Sequence, residues 1–124
     1  MSTDRLFLAC GAVSAFIAVA AGAFGAHGLR DRLTPEMLAI FETGARYQMY
    51  HALGLLVCAW AVTRWPGTPV TLSGWFFVAG TVIFSGTLYA LALTGARWLG
   101  AITPLGGLAF LAGWCCLALA AWRS

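Results

Sequence analysis

Charge is missing from four long stretches of this chain, and nothing else constrains its fold as strongly. No Asp, Glu, Lys or Arg occurs in residues 6–26, 47–63, 67–96 or 98–122. A helix needs roughly 20 apolar residues to cross the hydrocarbon core of a bilayer, with a range of about 17 to 25. One charge at mid-bilayer costs about 2.5 to 3.5 kcal/mol on insertion scales, so charges held to the flanks are what spanning helices require. Barrel strands would alternate in and out over about ten residues, and no such alternation is present. Composition agrees: 61% of the 124 residues are hydrophobic and 9% charged, against about 25% charged in a soluble domain. The expected fold is therefore all-α, an integral membrane four-helix bundle in a single membrane domain covering residues 1–124. Its spanning helices are expected over residues 5–26, 45–64, 71–94 and 103–122, with the lipid bilayer as solvent and partner. Arg5, the apolar run after it and Ala21-Gly22-Ala23 also have the look of a secretory signal. The run is longer than the usual h-region of about 7 to 15 residues, which favours a retained helix.

The connections carry their own signals. Thr34-Pro35-Glu36 reads as a helix start: a capping hydroxyl, a proline where no amide donor is needed, and an acid at the positive end of the dipole. From there to Arg46 the pattern is amphipathic, with Met37, Leu38, Ile40 and Phe41 opposite Glu36, Glu42, Thr43 and Arg46. Glu42 and Arg46 are spaced for an ion pair. This predicts a short interfacial amphipathic helix over residues 34–43, turning at Gly44 into the second span; the alternative is one long tilted helix over 34–63. Trp60, Arg64 and Trp65 form an interfacial anchor, Pro66-Gly67-Thr68-Pro69 a turn, and Gly95 a stop. Thr103-Pro104 repeats the cap-and-proline start.

Ser14, Ala18, Gly22 and Ala26 recur every fourth residue, and Gly106 and Gly113 offer a second smooth surface on the last helix. Helices in lipid associate by close packing, so these faces are expected to lie against other helices. Four spans joined by short loops must alternate in direction, which gathers His27, Glu42, Arg46, Gln48, His51, Ser85 and Tyr89 towards one side of the membrane. Polar groups at membrane depth are expensive and turn inward to partners or water. One reading makes His51, assisted by His27, a proton-handling group or metal ligand. The other makes it a packing residue bonded to Gln48, Tyr89 or Ser85. Two histidines without a third ligand do not make a zinc site, and no nucleophile–base pair or phosphate-cradling loop is present, so neither a metal, a cofactor nor an enzyme is expected. Cys10, Cys58, Cys115 and Cys116 lie inside apolar runs without C-x-x-C spacing and read as small packing residues. All seven basic residues are scattered arginines, which form no stripe for nucleic acid. They divide between the two sides almost equally, so charge predicts no orientation.

Gly22-Ala23-Phe24-Gly25-Ala26-His27-Gly28-Leu29, Phe41-Glu42-Thr43-Gly44, Tyr47-Gln48 and His51-Ala52-Leu53 resemble the bacterial YgdD/YwdK-like small membrane proteins. So do Phe84-Ser85-Gly86-Thr87-Leu88-Tyr89, Thr94-Gly95 and Thr103-Pro104-Leu105-Gly106-Gly107. That group is related to eukaryotic transmembrane protein 256. The resemblance implies a multi-pass protein of the plasma (inner) membrane and no particular activity; the four cysteines are not part of the pattern. The expected mode of action is helix–helix association, as a homo-oligomer or with another membrane protein. A small transporter with a polar vestibule around His51 is the alternative, and a membrane enzyme or redox protein a more distant one.

Overall fold

The computed structural model describes residues 1–123. It is an all-α bundle of four rods. The first is α1 (Thr3–His27) and the second α2 (Pro35–Arg64). The third, Thr68–Thr94, consists of α3 (Thr68–Gly80), a π-helical segment (Thr81–Ser85) and α4 (Gly86–Thr94). A 3₁₀ turn (Arg97–Ala101) leads into α5 (Thr103–Trp122). Three rods, Thr3–His27, Thr68–Thr94 and Arg97–Trp122, are long and apolar enough to cross a membrane. The surface is inside-out relative to a soluble protein: Phe16 is 74% exposed and Val82 68%, while Gln48, His51 and Ser85 are buried.

The second rod differs from the other three because it is the centre of the bundle. It packs against α1, α3 and α4, and eleven of its residues are buried. A helix covered by neighbours does not need to be apolar all round, which explains why α2 carries the polar residues and is the least hydrophobic of the four.

α2 also decides between the two readings of residues 34–63. It is one continuous helix from Pro35, and no separate interfacial helix turns at Gly44. Gly44 is buried mid-helix, where an added Cβ would stand 3.0 Å from the Tyr89 ring. Its lack of a side chain serves a close approach rather than a turn. The expected cap at the start of α2 does form, the Thr34 side chain accepting from the Met37 N–H at 3.2 Å. The matching cap at Thr103 does not. The 3₁₀ turn delivers Thr103 already inside the helix, so its hydroxyl donates back to the Leu99 carbonyl at 3.2 Å and pairs with Thr87 Oγ1 at 2.6 Å. Gly95 ends α4 as expected, with φ of 75° and its N–H on the Leu91 carbonyl.

The small-residue seam of α1 runs differently from the expected ridge. Its buried residues are Phe7, Gly11, Ala18 and Gly25, spaced by four and then by sevens. Ser14 and Ala18 lie on this seam, but Gly22 is half-buried with open space beside it and Ala26 is exposed. The reason is angular. Steps of four advance about 40° each at 3.6 residues per turn and leave the seam within three steps, whereas a seven-residue repeat stays on it. The closest approach is at Gly11, where a Cβ would lie 2.9 Å from the Ala52 carbonyl oxygen. On α5, Gly106 and Gly113 are buried against Phe84 and Phe77 respectively.

Candidate functional site

Gln48 is the hub of the buried polar residues. It sits near the middle of α2, and its side-chain amide donates to the Ser14 carbonyl at 3.1 Å and reaches the Ser14 hydroxyl at 3.3 Å. Its own carbonyl oxygen accepts from the Tyr89 hydroxyl at 2.7 Å. One side chain thus joins α1, α2 and α4. A turn away, the Ser85 hydroxyl donates to the Gly44 carbonyl at 2.7 Å, tying the end of the π segment to α2. Such bonds form readily here because an unpaired polar group in hydrocarbon has no water to turn to.

His51, one turn further along α2, makes a separate contact with α3 and α5. Its ring lies flat on Phe110, centroids 3.5 Å apart with 4° between the planes, and meets Phe77 edge-on at 5.3 Å. Trp114 Nε1–H donates to His51 Nε2 at 3.0 Å, and His51 Nδ1 lies 2.7 Å from the Tyr47 carbonyl. An indole can only donate and a carbonyl can only accept, so the ring is the neutral tautomer with its proton on Nδ1. Both nitrogens are engaged, which leaves no lone pair for a metal and no room to gain a proton without breaking the Trp114 bond. The sequence reading put the partner of His51 at Gln48, Tyr89 or Ser85. The structure instead gives Trp114 of α5, a residue nothing in the spacing singled out.

The remaining candidates are not brought together with this pair. His27, Glu42 and Arg46 are exposed, and no contact joins His27 to His51. Glu42 and Arg46 do not form the ion pair their spacing allows; exposed pairs at this spacing are worth only about 0.3 to 0.5 kcal/mol, too little to hold two long side chains together. Among the described residues the ion pair is Arg97–Glu36 at 3.1 Å, linking the start of α2 to the 3₁₀ turn. The Arg97 guanidinium holds the Glu36 carboxyl below the usual glutamate range. Buried Cys58 lies 3.5 Å from the Ser73 hydroxyl, which donates to the Gly113 carbonyl at 2.7 Å, so this thiol belongs to the α2–α3–α5 packing.

Beside the Gln48 hub, a crevice of about 520 Å³ opens between α1 and the third rod, floored by Gln48 and Leu55 of α2. Its walls are apolar apart from Ser14, Thr81, Ser85 and Tyr89. Sequence reading missed Ser14 as a bonding partner and Thr81 altogether; a hydroxyl at mid-helix is the available signal, but most such groups bond back to their own helix.

The chain is similar to several proteins named as membrane proteins. The chain is 48% identical over 118 residues to the UPF0382 membrane protein YwdK of Bacillus subtilis (strain 168), covering 94% of this chain and 96% of that one. It is 48% identical over 116 residues to a UPF0382 membrane protein of Staphylococcus epidermidis, covering 94% of each. A third relative, from Staphylococcus haemolyticus, is 44% identical over 119 residues, covering 96% of this chain and 97% of its own. No solved structure matches. Residues 21–107 match the family described as protein of unknown function (DUF423), a span that takes in Gln48, His51 and the third rod, and the chain belongs to that family of membrane proteins.

Proposed function

We propose that this chain is a multi-pass protein of the plasma (inner) membrane that catalyses no reaction and works by association within the bilayer, with a second copy or a larger membrane complex. The observation that carries this reading is the inward pairing of the polar cluster. Gln48 and Tyr89 bond each other across α2 and α4, Ser85 bonds the Gly44 carbonyl of α2, and His51 accepts from Trp114 of α5, which makes them fasteners of the bundle. What the molecule presents outward is hydrocarbon, including Phe16, Leu108 and Leu111. A transporter reading finds less support, because the His51 ring is enclosed by Phe110, Phe77 and Trp114 rather than facing a polar vestibule.

Native mass spectrometry of the protein released from lipid, together with in-membrane crosslinking, tests the proposal. The expected result is a defined assembly larger than one chain. A strictly monomeric species by both measurements would refute association. Epitope tags at the Gly67 and Gly95 turns test the spans, and tags found on the same face would refute the multi-pass reading.

A further inference from the structure

Three features coincide on one wall of the crevice between α1 and the third rod. The π segment Thr81–Ser85 forms part of that wall, and π turns inside helices occur frequently at functional sites. Thr81 Oγ1 is, among the described residues, the buried side-chain polar atom without a hydrogen-bond partner. Gly86, which follows the π segment, has open space where a Cβ would stand.

The crevice extends from Ala9 to Ile17 on α1 and from Val78 to Tyr89 on the third rod, which is about 12 to 16 Å at 1.5 Å per residue. Its volume of about 520 Å³ admits a flat ring or a hydrocarbon chain.

Depth narrows the chemistry further. Thr81 is 13 residues from each end of the rod Thr68–Thr94, about 20 Å from either end and so at mid-bilayer. The oxygens of a phospholipid lie at the edges of the hydrocarbon core, about 15 Å away. They do not reach this hydroxyl. A molecule that dissolves entirely in the core and carries a carbonyl does. Threonine populates two χ1 rotamers in helices, one of which can swing the hydroxyl from the helix interior towards such an acceptor.

We infer that the crevice walled by Thr81, Ser85 and Gly86 binds a carbonyl-bearing, bilayer-soluble ring compound of the lipid-quinone class, entering sideways from the lipid. The inference rests on the multi-pass reading above, since it takes Thr81 to be at mid-bilayer. Its test uses the intact protein in phosphatidylcholine nanodiscs with decylubiquinone as probe, binding being followed by native mass spectrometry. The expected result is one probe per chain. Gly86→Phe places a ring at a position where the added Cβ meets nothing within 4 Å, and should abolish binding while helicity by circular dichroism is unchanged. Thr81→Val keeps the shape and removes the donor, and should weaken binding about five- to tenfold. Leu108→Phe, on the outer face of α5, should leave binding as it was. Absence of probe binding, binding that survives Gly86→Phe, or occupancy by phospholipid alone would overturn the inference. The tag experiment reports on the spans whatever the crevice holds, so the two failures are distinguishable.

Discussion

Replacing Gln48 by leucine is the sharpest perturbation of the hub. The side chains are close in volume, so the packing of buried α2 is kept while two interhelical connections are lost, to Ser14 and to Tyr89. Interhelical bonds in bilayers average about 0.6 kcal/mol and reach about 1.7. The Tyr89 bond, at 2.7 Å, belongs at the upper end. Its hydroxyl is then left facing leucine, and a buried polar group without its partner costs about 1 to 3 kcal/mol. These terms overlap, and we expect Gln48→Leu to destabilise the bundle by about 2 to 3 kcal/mol. Tyr89→Phe should cost about 1 kcal/mol, because the Gln48 amide keeps Ser14. The double variant should then fall short of the sum by about 1 kcal/mol, as contacting pairs do. Unfolding by SDS in mixed micelles, followed by far-ultraviolet circular dichroism, measures all three. Strict additivity, or a loss below about 0.5 kcal/mol for Gln48→Leu, would refute the hub.

Three further outcomes follow from other contacts. His51→Phe keeps the stack on Phe110 but removes the acceptor for Trp114, and should cost about 1 kcal/mol in the same titration, matched by Trp114→Phe. Gly106→Leu places a side chain against the Phe84 backbone, where a Cβ would already be 2.8 Å from Phe84 Cα; overpacking of about 3 kcal/mol or failure to assemble α5 is expected, read as loss of the folded band in detergent. The Glu36 carboxyl is held below its ordinary range by Arg97, so the pair stabilises at pH values above that range and the contribution disappears as pH falls through the lowered value. Glu36→Gln should therefore flatten the acid limb of the stability profile measured between pH 7 and 3, and added salt should have the same effect on the wild type.

The four rods were legible in the sequence because the cost of placing charge in hydrocarbon is large and depends on position along the chain alone. The connections followed for the same reason: Thr34, Gly67 and Gly95 act locally. What depends on how each rod is rotated about its axis was not legible. Amphipathy over residues 34–46 looks the same in a surface helix and in the first turns of a core helix; the unbroken run of α2 from Pro35 and the Tyr89 ring against Gly44 distinguish them. A four-residue ridge and a seven-residue seam share Ser14 and Ala18, so α1 was placed against its neighbour with the wrong twist. The hub was half visible: alternating spans bring Gln48 and Tyr89 to similar heights, whereas the choice of Trp114 for His51 needs the relative rotation of α2 and α5.

The first rod is fastened unevenly. It lies along α2 but barely meets α3, chiefly where the Phe7 ring rests on Gly74 and Trp75 near one end. The other flank of α2 is clamped to α5 through His51, Phe110 and Trp114. α1 is therefore held to the rest of the bundle almost entirely through one neighbour, and the α1–α2 seam with its Ser14–Gln48 bond is what keeps the first rod in place.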